Sequence, residues 1–272
     1  MEFTSVGLYL AKNGFFPFLV FGAILLMVRF GWFVGSKANE RSKGSKTSTD
    51  DTLVSAILGL MALVLAFTFS GASDRLDARE HLKLAEVNSI SSAISSADYF
   101  NEDERSNLRC LIKTYLDERI VLYQDYLKSD DFSLRQSKAE SILNQIRIAT
   151  LQSAKQTPTA DRNLANEAIK TVNIMLDAYD NQRQAMFLHP PNVIWVSLII
   201  LVLIGSFLSG YKMGLTKKRE RFISYMFAAL MSSAIYLTIS LEFPQLGNIS
   251  LEPFAHEFLR LQHGFVNDVC QK

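Results

Sequence analysis

Residues 53–79 read LVSAILGLMALVLAFTFSGASDRLDAR. No charge interrupts the run before Asp74, so its first part supplies the roughly 20 apolar residues a helix needs to cross the hydrocarbon core of a bilayer. The chain then turns polar with no helix breaker before Tyr99. This predicts that the spanning helix leaves the membrane and continues as one rod.

Three further blocks, 15–34, 193–208 and 222–241, are comparably apolar. They explain how 272 residues can be 49% hydrophobic and 20% charged with a mean hydropathy of +0.12: the apolar residues are gathered in segments rather than spread over helix faces. The chain therefore reads as an all-α integral membrane protein with transmembrane helices at about 15–34, 53–72, 191–211 and 222–241. Against 28 Lys and Arg stand 27 Asp and Glu, and a net charge of +1 leaves no field to draw the chain to nucleic acid. Two cysteines exclude a disulfide scaffold and a cysteine-built zinc site. Ser36-Lys37-Ala38 after the first block imitates a signal-peptidase site. Only Lys12 precedes that block, however, it is longer than a signal core, and a second span follows, so it reads as a retained helix.

Orientation follows from cations in short loops. Lys37, Arg41, Lys43 and Lys46 separate the first two spans, and Lys212, Lys217, Lys218, Arg219 and Arg221 the last two. Both links are expected on the cytoplasmic side of a bacterial inner membrane, with residues 73–189 and the C-terminus periplasmic. Arg29 lies inside the first block and reads as snorkelling toward the first basic link.

The expected organisation is a membrane part over 1–72, a helical extracytoplasmic domain over 73–189, a second membrane part over 190–243 and an amphipathic tail over 244–272. Within the middle segment Leu108, Leu111, Ile112, Tyr115, Leu116, Arg119 and Leu122 keep helical spacing, as do Ile142, Ile146, Ala149 and Ser153, then Leu164, Ala168, Val172, Met175, Leu176 and Tyr179. Breaks fall at 100–103, 129–133 and 156–159, which predicts an antiparallel four-helix domain between the second and third spans. Pro190-Pro191 bends the chain into the third span, and Pro253 opens a tail helix whose Phe254, Phe258, Leu261 and Phe265 are expected to pack on protein. Cys110 and Cys270 are both expected outside the cytoplasm and could pair, but Cys110 falls within a helix pattern, so an unpaired buried thiol is the favoured expectation.

No enzyme constellation emerges. His81, His189, His256 and His263 lack metal-ligand spacing, and Ser70 ends a spanning helix where a nucleophile elbow needs a strand. No metal or cofactor is expected. Two constellations remain. Ser55, Gly59, Ala62, Ala66, Ser70 and Ser73 form a small-residue stripe on the second span, echoed by Ala228, Ala229, Ser232 and Ser233 on the fourth. Such stripes serve either close helix packing, within or between subunits, or a pore lined by several copies. The second constellation is an interfacial charged layer of Arg75, Asp77, Arg79, Asp177, Arg183 and Glu242, read as a structural clamp or as a vestibule that selects ions.

The run Phe67-Thr68-Phe69-Ser70-Gly71-Ala72 with Arg75, Asp77 and Arg79, then Glu86 and Asn88, Leu108-Arg109, Tyr115, Asp117 and Arg119, resembles bacterial membrane proteins with a bestrophin-like domain. Asn173, Asp177 and Arg183 before Pro190-Pro191 and Trp195, Gly210-Tyr211, and Leu241-Glu242 with Pro244 and Gly247 extend the resemblance over nearly the whole chain from Leu53. Glu242-Phe243 and Ala85 depart from that pattern, which often has an Asp-Arg pair and a second acid there. Bestrophins are pentameric anion channels with a cytoplasmic helical region. The resemblance thus implies a homo-oligomer in a lipid bilayer that passes ions; the small-residue stripe of Ser55, Gly59, Ala62, Ala66 and Ser70 is the face expected to line the pore, with Arg75, Asp77, Arg79 and Glu242 at its mouth. The alternative is a membrane-anchored sensor or scaffold whose helical domain binds a partner.

Overall fold

The computed structural model describes residues 15–41, 51–125, 132–217, 220–243, 252–264 and 270. Among them every regular element is helical: α1 (Phe16–Arg41), α2 (Asp51–Ser96), α3 (Glu102–Asp125), α4 (Phe132–Gln156), α5 (Arg162–Phe187), α6 (Asn192–Leu215), α7 (Arg221–Glu242) and α8 (Glu252–Gly264). Short 3-10 turns, Ala97–Tyr99 and Thr159–Asp161, follow α2 and precede α5. Four stretches are long and apolar enough to cross a membrane, as the four apolar blocks require.

The helix ends follow from local chemistry. α1 runs past residue 34 because Gly35 to Arg41 contains no proline and is rich in good helix formers. α2 is continuous over 46 residues, as its missing breaker predicts. Between α5 and α6, Pro190 and Pro191 donate no backbone N–H, and Pro191 caps α6 with its carbonyl accepting from Ile194. The break expected at 129–133 lies partly outside the described residues, as do Phe265 and the side chain of Phe254.

The chain divides into two units, Met1–Leu76 with His189–Ile249, and Asp77–Leu188 with Ser250–Lys272. In the first, α1 packs on α6 through glycines four residues apart. A Cβ on Gly31 would stand 2.0 Å from the Phe207 carbonyl oxygen, one on Gly210 2.0 Å from that of Val28, and one on Gly214 2.4 Å from that of Trp32. Backbone therefore touches backbone, the closest approach small residues permit between membrane helices. On α7, Ala228 and Ser232 are buried, and the Ser232 hydroxyl donates to the Pro17 carbonyl. Met61, Leu198, Val202 and Ile235 complete this core with Ile24.

The second unit buries Ile90, Leu108, Ile112, Leu116, Ile146 and Met175 around a core that also takes Phe258 from α8. The tail helix packs on protein, as its apolar face predicts. Leu164 is exposed and Ala165 is buried in its place, while Ala168, Val172, Met175 and Tyr179 keep the expected face of α5. The expectation for Cys110 is overturned: it forms a disulfide with Cys270 across 160 residues, with the Cα atoms 5.5 Å apart. The Gln262 amide also donates to Asp117 at 2.5 Å, so two side-chain links tie the tail to α3. A bridge closing so long a loop contributes about 2–5 kcal/mol. Cys110→Ser is expected to make residues 252–270 cleavable by added protease under conditions where the wild-type tail survives, a difference read by mass spectrometry of the fragments.

Candidate functional site

The two faces of α2 in the first unit differ sharply. Val54, Met61, Thr68 and Ala72 are buried, and Leu58 and Met61 lie against the position a Cβ on Gly205 would take. The other face carries Ser55, Gly59, Ala62, Ala66 and Ser70, and all five are exposed. A Cβ on Gly59 would meet nothing within 4 Å. Among the described residues the stripe is therefore left exposed, whereas Ala228 and Ser232 of the similar stripe on α7 are buried. Of the four spans this one is the least covered, 17% of its apolar window being buried against 22–28% for the others.

At the ends of these spans, charge is closed on itself. The Glu242 carboxylate is fully buried; one oxygen accepts from Arg75 Nε at 2.7 Å and the other lies 3.0 Å from His189 Nδ1. The His189 ring also lies against Phe243, with 4.6 Å between centroids. A buried carboxylate that engages a guanidinium and an imidazole has its charge compensated in place, and the contact ties the middle of α2 to the end of α7. Arg75 alone of the pair reaches solvent, at 27% exposure. His189 was invisible in sequence as a member of this cluster, since nothing local marks its approach to a residue 53 positions away.

The other residues of the proposed layer belong to the second unit. Arg79 is buried and donates to the carbonyls of Ala185 and Leu188 at 3.0 and 3.1 Å, tying α2 to the end of α5. Arg183 pairs with Glu140 at 3.4 Å and Asp180 at 3.9 Å. Asp77 and Asp177 are exposed.

A stronger constellation lies in the core of this unit. Arg119 donates from Nε and Nη2 to the two oxygens of Glu86 at 2.6 and 2.7 Å, a bidentate fork with both side chains buried. Tyr115 donates its hydroxyl to the same carboxylate at 2.7 Å, and Arg119 also donates to Gln182 at 3.0 Å. The guanidinium carbon stands 5.1 Å from the centre of the Tyr179 ring, whose hydroxyl donates to Glu140. One polar network thus joins α2, α3, α4 and α5. Burial and the adjoining carboxylate push the Tyr115 hydroxyl well above its ordinary pKa, so it stays a donor. Burial lowers the Lys83 ammonium, some ten residues beyond the apolar span, to about 8. The sequence signal was present in Arg119, a charge on the otherwise apolar face of α3.

Among the described residues no three His, Cys, Asp or Glu side chains are grouped to hold a metal. The fold and these features define a polytopic helical membrane protein with a second helical unit. A family model of the bestrophin-like domain matches residues 18–255, and the chain belongs to that family. Among solved structures it is similar to a membrane protein variant at TM-score 0.66 and 13% identity, covering 93% of this chain and 98% of the other. Two variants of a bacterial bestrophin homologue from Klebsiella pneumoniae match at TM-scores of 0.65 and 0.64 with 14% and 12% identity; they cover 92% and 91% of this chain and 98% of each other chain. Identities this low speak for the fold. No curated protein matches the sequence significantly.

Proposed function

We propose that copies of this chain assemble in the membrane around a pore that conducts anions, with the Ser55, Gly59, Ala62, Ala66 and Ser70 face of α2 turned toward the axis or the neighbouring copy. The observation that carries this reading is the exposure of that face, a stripe of small residues left uncovered among the described residues. Family membership supports it, since known bestrophin-like proteins are oligomeric anion channels. Arg75 and Asp77 stand near the mouth in this account, whereas the buried Glu242 holds the mouth's shape. The helical unit is read as an antiparallel bundle outside the cytoplasm. Both the basic links and the Cys110–Cys270 bridge favour that side, because disulfides persist in oxidising compartments.

A second reading, a sensor whose helical unit binds a partner, is favoured by the continuity of α2 over residues 51–96. Anion flux from liposomes separates the two. Cys110 and Cys270 are bridged and are the sole cysteines, so Gly59→Cys introduces one reactive thiol at a position with room for it. The pore reading predicts flux above that of empty liposomes and its loss on charging that thiol with a sulfonated thiol reagent. Absence of flux from wild-type protein removes this reading.

A further inference from the structure

Arg29 is a charge in the middle of an apolar helix, and neither the stripe nor the clamp employs it. A charged side chain at such a place normally faces a partner or a polar cavity. The structure supplies the cavity: about 280 Å³ among α1, α6 and α7, lined by Arg29 and Arg221 together with Trp32, Tyr225, Leu25 and Val28. Arg221 is the first residue of α7, so the shared cavity fixes Arg29 at the level where the fourth span begins, beside the basic link. Two guanidiniums on one small cavity repel each other, and neither has an ion-pair partner among the described residues. The lining is amphipathic, Leu25 and Val28 being apolar and the two arginines cationic, with a Trp and a Tyr of the kind that settle at headgroup depth.

We infer that this cavity binds the phosphate group of an anionic phospholipid, Arg29 and Arg221 holding the phosphate oxygens while the acyl chains lie in the bilayer beside α1 and α7. Guanidinium forks match phosphate geometry and carry their charge at every physiological pH. A volume at the lower edge of the roughly 300–1,000 Å³ of small-molecule sites suits a headgroup and excludes its tails. The site is independent of the pore reading and stands or falls by lipid binding alone.

The test uses the full chain, delipidated in detergent and titrated with phosphatidylglycerol, phosphatidylcholine or inorganic phosphate, with bound ligand counted by native mass spectrometry. Phosphatidylglycerol is expected to bind well above phosphatidylcholine. Arg29→Gln and Arg221→Gln should each weaken it roughly fivefold, and the pair together roughly 25-fold, the increment of one arginine at an anionic headgroup. Arg41→Gln, on the same helix but not in the cavity lining, should leave it unchanged. Equal binding of phosphatidylcholine, no loss in either variant, or an equal loss in Arg41→Gln overturns the site in favour of general surface attraction. Inorganic phosphate binding as tightly as the lipid would assign the cavity to a free anion and overturn the lipid. Should Arg29→Gln fail to fold, Arg29→Lys, which keeps the charge and loses the fork, takes its place, and a wild-type affinity in it and in Arg221→Gln refutes the proposal.

Discussion

Glu86→Ala is expected to cost the helical unit about 3–5 kcal/mol, the penalty for leaving one member of a buried ion pair uncompensated. Arg119 would lose both acceptor oxygens of its fork, inside a core where its side chain is 1% exposed. Tyr115 would lose the acceptor of its hydroxyl in the same step. Replacing both charges by apolar residues of similar volume, as in Glu86→Leu with Arg119→Met, should cost clearly less than the sum of the two single changes, since no lone charge remains. Thermal unfolding of the purified protein followed by circular dichroism reads both results, and additivity of the singles would show that the pair is not coupled.

Gly210→Val is expected to be equally severe for a different reason. Its first added carbon falls 2.0 Å from the Val28 carbonyl oxygen, and the obstacle is backbone, which cannot turn aside as a side chain can. The helices α1 and α6 must separate along their whole contact, including the pairs Gly31 with Phe207 and Gly214 with Trp32, at a cost of about 3 kcal/mol or more. Gly22→Val supplies the control, for a Cβ there meets nothing within 4 Å although the residue lies in the same span as Gly31. Yield of folded, monodisperse protein after extraction should collapse for Gly210→Val and hold for Gly22→Val.

These two substitutions also mark where sequence reading stopped. The four spans, the unbroken α2 and the breaks near 100 and 157 were legible because apolar runs, prolines and capping residues act over a turn or two of chain. The small-residue stripe of α2 was legible as a surface, but which neighbour it meets was not. Gly31 and Gly35 passed unremarked, since a glycine in an apolar run says nothing of the carbonyl it will touch in another helix. The Glu86–Arg119 fork spans 33 residues and the Cys110–Cys270 bridge 160, and no local pattern encodes either. A charge at a core position of α3 was the one visible hint, and it pointed to a structural network rather than to the mouth of a pore.

The account turns on what covers the bare face of α2, and oxidative cross-linking in native membranes asks this directly. Gly59→Cys and Ala66→Cys are compared with Ile199→Cys, an exposed residue of the third span. The two α2 positions should give disulfide-linked dimers on mild oxidation while Ile199→Cys stays monomeric. Monomers throughout, or cross-linking from Ile199→Cys alone, would mean that the small-residue face looks onto lipid and that no pore is assembled around it.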